Sequence, residues 1–135
     1  MSITHQEARR ALDAAVAKAE AMGVKVAIAV VDDHADLVGL IRMSDASYLF
    51  LPQAAQGKAM ASVVWRQPSG ALNERAASPM FQGTNAMYGG RLLFQQGAVP
   101  IMRGEKLIGA IGVGGATAQQ DEEIALAGAA TFAEG

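Results

Sequence analysis

The chain has 135 residues, 51% of them hydrophobic, and a formal net charge of −2. That is enough for one domain with a real core and too apolar for a disordered chain, and its near-neutral balance gives no electrostatic reason to expect nucleic acid or an anionic membrane as a partner. It has no cysteine, which excludes disulfides, thiolate metal sites and thiolate catalysis and fits a cytoplasmic setting.

Taken in chain order, Thr4 and Glu7 form a T-x-x-E capping box, and apolar positions from Ala8 to Met22 recur at helical spacing. The pattern predicts an amphipathic helix over 5–22, stopped by Gly23. Val24–Asp32 is β-branched and apolar almost throughout, as in a strand buried on both faces. Asp33–Asp36 is turn chemistry, and Leu37–Met43 reads as the returning strand of a hairpin.

Pro52 suits the first turn of a helix over about 53–65. Gly57 inside it weakens the helix by roughly 1 kcal/mol, which suggests close packing or a ligand beside it. Pro68 breaks the chain, Ser69 can cap a short helix in "GALNERAA", and "SPMFQGTNAMYGG" reads as a long loop. "RLLF" and "AVPIMR" are short strands, Gly104–Lys106 is a turn, and Leu107–Gly115 is a strand with many small residues, which lets a backbone or ligand approach closely. A last helix runs from about Gln119 to Phe132. The order is α-β-β-α-α-β-β-β-α in a single domain, 1–135, with an antiparallel sheet of five strands and helices packed on it. No apolar run reaches the length of about 18 that a membrane span needs.

"GVGGATAQQDEE" (Gly112–Glu123) invites comparison with a phosphate loop. It lacks the Lys-Ser/Thr of a P-loop, and Thr117 stands where a dinucleotide fingerprint needs its third glycine. Asp121, Glu122 and Glu123 would fall in the first turn of the last helix, where they complement its dipole and repel phosphate. Two readings stay open: Thr117 or a nearby residue caps the helix and the acids only stabilise it, or Asp121 or Glu122 points over the glycines into a pocket, where it binds a cation, orients a ligand or acts as an acid–base, with Gly114, Gly115 and Thr117 as ligand-binding residues.

Other candidates carry similar alternatives. His34, beside Asp32, Asp33 and Asp36, is a candidate metal ligand or an ordinary turn residue. Lys58 either snorkels to solvent or meets an anion. Arg42 and Arg91 can hold a ligand carboxylate bidentately or pair with some of the 13 acids. Tyr88 is a ligand-facing aromatic or a loop anchor. No serine sits in a G-x-S-x-G elbow.

Val26–Met43, Lys58–Ser69 ("KAMASVVWRQPS"), Gly89–Ile101 ("GGRLLFQQGAVPI") and above all Gly109–Gly128 ("GAIGVGGATAQQDEEIALAG") resemble the GlcG/HbpS-like family, over nearly the full length. The resemblance implies a profilin-like α+β fold with a five-stranded antiparallel sheet, and assembly into homo-oligomers built from dimers, up to octamers. Members are linked to haem binding and to glycolate operons, and similar domains form the C-terminal part of some corrinoid adenosyltransferases. One similar lineage comprises cofactor-free lyases of hydroxylamino-aromatic acids.

Three functions from different classes follow. The first is an oligomeric binder of haem, or of a small aromatic or hydroxy acid, in a pocket near the glycine-rich strand and last helix. Haem, the one possible cofactor, would draw an axial ligand from His34, His5, Tyr88 or the seven methionines and cations from Lys58, Arg42 and Arg91. The second is a cofactor-independent lyase with a Lys/Arg carboxylate anchor and Asp121 or Glu122 as acid–base. The third is an oligomeric scaffold. Whether the chain is an enzyme is left open by its residues.

Overall fold

The computed structural model describes residues 2–133. Helix α1, His5–Met22, begins at Thr4, whose hydroxyl accepts from the Glu7 N–H while the Glu7 carboxylate accepts from the Thr4 N–H. It ends on Gly23 in the left-handed conformation. Strands β1 (Ala27–Asp32) and β2 (Leu37–Arg42) form an antiparallel hairpin. Helix α2, Leu51–Trp65, carries Pro52 in its first turn. A 3-10 helix over Ser69–Arg75 and helix α3 (Pro79–Met87) lead to β3 (Ala98–Arg103) and β4 (Lys106–Gly114). Helix α4, Ala118–Ala129, and a short 3-10 turn close the chain.

The α+β class holds, but the sheet has four antiparallel strands in the order β2-β1-β4-β3, not five. The missing strand is "RLLF". Its backbone is claimed by other partners: the Leu93 N–H donates to Gly57 O of α2 at 3.1 Å, the Leu92 N–H donates to Asn85 Oδ1 at 2.8 Å, and Phe94 O accepts from Asn73 Nδ2 at 3.1 Å. A segment whose donors are satisfied by a helix and by side chains has no ladder to offer. The element order is corrected with it, to α-β-β-α, 3-10, α-β-β-α.

Two local expectations change as well. The stretch after Ser78 is helical rather than a loop, because the Ser78 hydroxyl accepts from the Phe81 N–H and Pro79 occupies the first position. Ser69 caps nothing: its buried hydroxyl accepts from the Ala98 N–H at 2.9 Å and so joins the 3-10 helix to β3.

The two faces of the sheet are packed differently. Ile28, Val30, Ile111 and Val113 point to the face covered by α1 and α4. The opposite face presents Ala27, Ala29, Gly112 and Gly114 to α2. A Cβ on Gly112 would run into Ala55 O and lie 2.8 Å from Ala59 N, so the α2 backbone rests almost directly on β4. On its outer side α2 is pressed by the 91–93 segment, where a Cβ on Gly57 would meet Arg91 O. Close packing on both sides accounts for that mid-helix glycine and for a helix that is apolar nearly all round.

Far from this layer, Glu7 joins α1 to β3. Its carboxylate accepts from Arg103 Nη1 at 3.0 Å and Nη2 at 3.1 Å. The Arg103 hydrogen bond, with the Thr4 N–H, lowers the Glu7 pKa from 4.5 to about 2. A depressed carboxylate favours the fold above its unfolded value, and that contribution fades as pH falls from about 4.5 toward 2. Glu7→Gln keeps the capping geometry and loses the charge pair. It is expected to cost about 1 kcal/mol or less at pH 7 and to flatten the stability loss in that acid window, as read by urea titrations at stepped pH.

Candidate functional site

The first turn of α4 is built by its cap. The Thr117 hydroxyl accepts from the Gln120 N–H while the Gln120 side chain accepts from the Thr117 N–H. The next residue, Asp121, is thereby turned inward and is 2% exposed. Asp121 Oδ1 accepts from the Ala116 N–H at 2.9 Å and Oδ2 lies 3.3 Å from Lys58 Nζ.

Lys58 comes from α2, on the other side of the sheet, and meets Asp121 at the end of β4 where the chain crosses to α4. Its ammonium also donates to Val113 O at 2.9 Å. Space for it depends on Gly97, at φ 143°, where a Cβ would stand 2.8 Å from Nζ and 2.6 Å from Val113 O. Two of the three ammonium protons are thus used, and the third has no protein acceptor among the described residues. Burial raises the Asp121 pKa above its ordinary value, against the opposing pull of the Ala116 N–H and the Lys58 charge.

This pair forms the floor of a cavity of about 540 Å³. Gly114, Gly115 and Ala116 bring backbone to its edge, Asn73, Gln95 and Gln96 give a polar wall, and Tyr48, Phe50, Leu51 and Leu93 give an apolar one. Tyr48 and Phe50 stack with ring centroids 5.4 Å apart and stay 62% and 60% exposed at the mouth. One buried cation–carboxylate pair, the amides of Gln95 and Gln96 and an aromatic rim suit a small polar molecule with a flat apolar part.

The structure brings Lys58, Gly114, Gly115 and Asp121 together at this cavity. It does not bring the other candidates there. Thr117 is exposed and spends its hydroxyl on the cap. Glu122 is half-buried but does not line the cavity, and only Asp121 of the three acids falls in the first turn of α4. Arg42 is exposed at the end of β2. Arg91 lines a different cavity, and Tyr88 packs beside the core that contains Phe81.

His34 lies at the other end of β1: Ala27 pairs with Gly114, whereas Asp32, two residues before His34, pairs with Gly109. Its side chain is 80% exposed, 3.4 Å from Asp33. Asp32, Asp33 and His34 could bring one ligand atom each within 4.8 Å of one another. Asp32 Oδ1, however, already accepts from the N–H groups of His34 and Asp36. Sequence reasoning passed over Tyr48, Phe50, Asn73, Gln95 and Gln96. The one signal for them was the apolar run Tyr48–Leu51 just ahead of Pro52.

Residues 3–130 match the family model described as "Haem degrading protein HbpS-like". A 15.0 kDa protein of Citrobacter freundii from the dhaT-dhaS intergenic region is 30% identical, over 98% of this chain and 94% of its own. A double mutant of Streptomyces reticuli HbpS superposes with a TM-score of 0.84 at 32% identity, covering 98% of this chain and 88% of that one. A PduOC:heme complex gives a TM-score of 0.84 at 26% identity, covering 97% and 95%.

Removing one member of a buried ion pair strands the other, at about 3–5 kcal/mol. Lys58→Met and Asp121→Asn are each expected to lose stability on that scale in chemical denaturation. The double variant Lys58→Met/Asp121→Asn is expected to lose clearly less than the sum, which a double-mutant cycle measures.

Proposed function

The chain belongs to the HbpS-like family, and on that premise we propose that it binds a small aromatic or hydroxy acid in the Lys58–Asp121 cavity. The observation that carries this reading is the buried ammonium with one unassigned N–H, set in the floor of a cavity with an aromatic mouth. A ligand carboxylate or hydroxyl takes that N–H and the flat part lies along Phe50 and Leu93. Because Asp121 neutralises Lys58, the site favours a weakly charged oxygen ligand over a polyanion such as a nucleotide phosphate.

Haem binding is the second reading, and it comes from relatives: the family description and the PduOC:heme complex. Bound haem needs an axial donor and cations for its propionates. Among the described residues this cavity is lined by neither histidine and by no methionine; its donors are the Tyr48 phenol and a lysine already held by Asp121. One copy of the chain therefore does not fit haem here. Leu49, at 97% exposure between Tyr48 and Phe50, supports a second copy covering the rim in a homo-oligomer. Sedimentation analysis is expected to give an oligomer that Leu49→Asp dissociates, while an unchanged mass would place the interface elsewhere.

An acid–base role, as in a cofactor-independent lyase, is favoured by one feature. The raised pKa of Asp121 moves it toward the range in which a carboxyl can both give and take a proton.

A thermal-shift panel of benzoates, hydroxy acids and haem separates these readings. An aromatic or hydroxy acid is expected to raise the Tm of the wild type, by about 2.7 kcal/mol of stabilisation at a hundredfold excess over Kd, and not that of Lys58→Met. A sharp Soret shift with haem in both proteins, with no acid bound, would overturn the proposal. Turnover of a bound acid that Asp121→Asn abolishes while binding survives would assign the proton transfer.

A further inference from the structure

A second cavity, of about 370 Å³, shares Phe50, Ala54 and Leu93 with the first. Its own lining comes from Gln53, Gln56, Gly57 and Met60 of α2 and from Gly90–Leu92. It is small but within the range of ligand sites. Three features set it apart from its neighbour. Among the described residues no acidic side chain lines it and its single charge is Arg91, and it is mainly apolar.

The Arg91 guanidinium is tethered: Nε donates to Tyr88 O at 3.0 Å. That bond leaves the two terminal amino groups, and no carboxylate pairs with them among the described residues. Lys58 has its charge answered by Asp121, and Arg91 does not. Arg91 is exposed at the edge of an apolar hollow, and its free fork of N–H donors there is complementary to an apolar molecule bearing one carboxylate, since the fork matches that group in two-point fashion. A cation would meet Arg91 unfavourably, and a polyanion would find one charge only.

We propose that this cavity binds an apolar monocarboxylate, with its ring or chain against Phe50, Met60 and Leu93 and its carboxylate on Arg91. The site goes beyond the Lys58–Asp121 reading and stands without it. The Gly89-Gly90 pair, at φ 68° and 76°, turns the chain so that Arg91 follows directly after α3. Arg91 O rests against Gly57, which fixes the base of the side chain to α2.

The test is calorimetric titration of the purified protein with 4-phenylbutyrate and with its neutral analogue 4-phenylbutan-1-ol at low salt. Wild-type protein is expected to bind the carboxylate saturably. Arg91→Gln weakens that binding at least about tenfold, the scale of one charge-assisted hydrogen-bonded pair. The alcohol binds wild type no better than the acid binds Arg91→Gln. Gln56→Glu, which places a negative charge in this cavity alone, weakens the Arg91-dependent binding as well, and Gln96→Glu, in the first cavity alone, leaves that Arg91-dependent component unchanged. Equal binding by Arg91→Gln, loss in Gln96→Glu without loss in Gln56→Glu, or no saturable binding by wild type would each overturn the proposal.

Discussion

The ion pair between Lys58 and Asp121 is the constraint on which the architecture around the cavity turns. It joins two helices on opposite faces of the sheet, and it can do so only beyond the end of β4, where no strand separates them. Both groups are buried, so neither tolerates the other's absence, and each takes a backbone partner as well: Val113 O for the ammonium, the Ala116 N–H for the carboxylate. Those two partners flank Gly114 and Gly115. The pair thereby fixes the path of the crossover and the position of the cavity floor.

The asymmetry of the sheet serves the same end. Large β-branched side chains fill the face toward α1 and α4, where an ordinary core forms. On the other face alanine and glycine let α2 settle onto the strands, at a distance that larger residues would forbid. Only at that depth can a lysine from the middle of α2 reach past Gly97 to the start of α4. The segment that follows Gly90 then closes over the outside of α2, and its backbone binds the helix instead of extending the sheet. One packing choice thus removes a strand and walls two cavities.

The glycine-rich crossover keeps little of the phosphate-loop character that its composition suggests. Glycines here admit a neighbouring helix and a lysine, and the helix N-terminus is answered by an aspartate of the same chain. The anion site of a phosphate loop is filled internally. What is left open to solvent is a mixed polar and aromatic hollow, suited to small oxygen-bearing molecules.

Features governed by neighbours a few residues apart can be read directly from the order of the residues. The helix starting at Thr4 with Glu7, its stop at Gly23, the β1–β2 hairpin, and a cap at or near Thr117 were all legible, because capping and turn chemistry act over three or four positions. The small residues of β4 were legible as a close approach, though not of what. Which acid turns inward was not, since Asp121, Glu122 and Glu123 differ only in their angle around α4. Nor was the pairing of Lys58 with a partner 63 residues away. Local pattern also made a strand of "RLLF" and a loop of α3, because a β-like composition does not say whether a strand edge or a helix will take its hydrogen bonds. Tertiary structure decided those points: burial and long-range partners choose among local options of nearly equal energy.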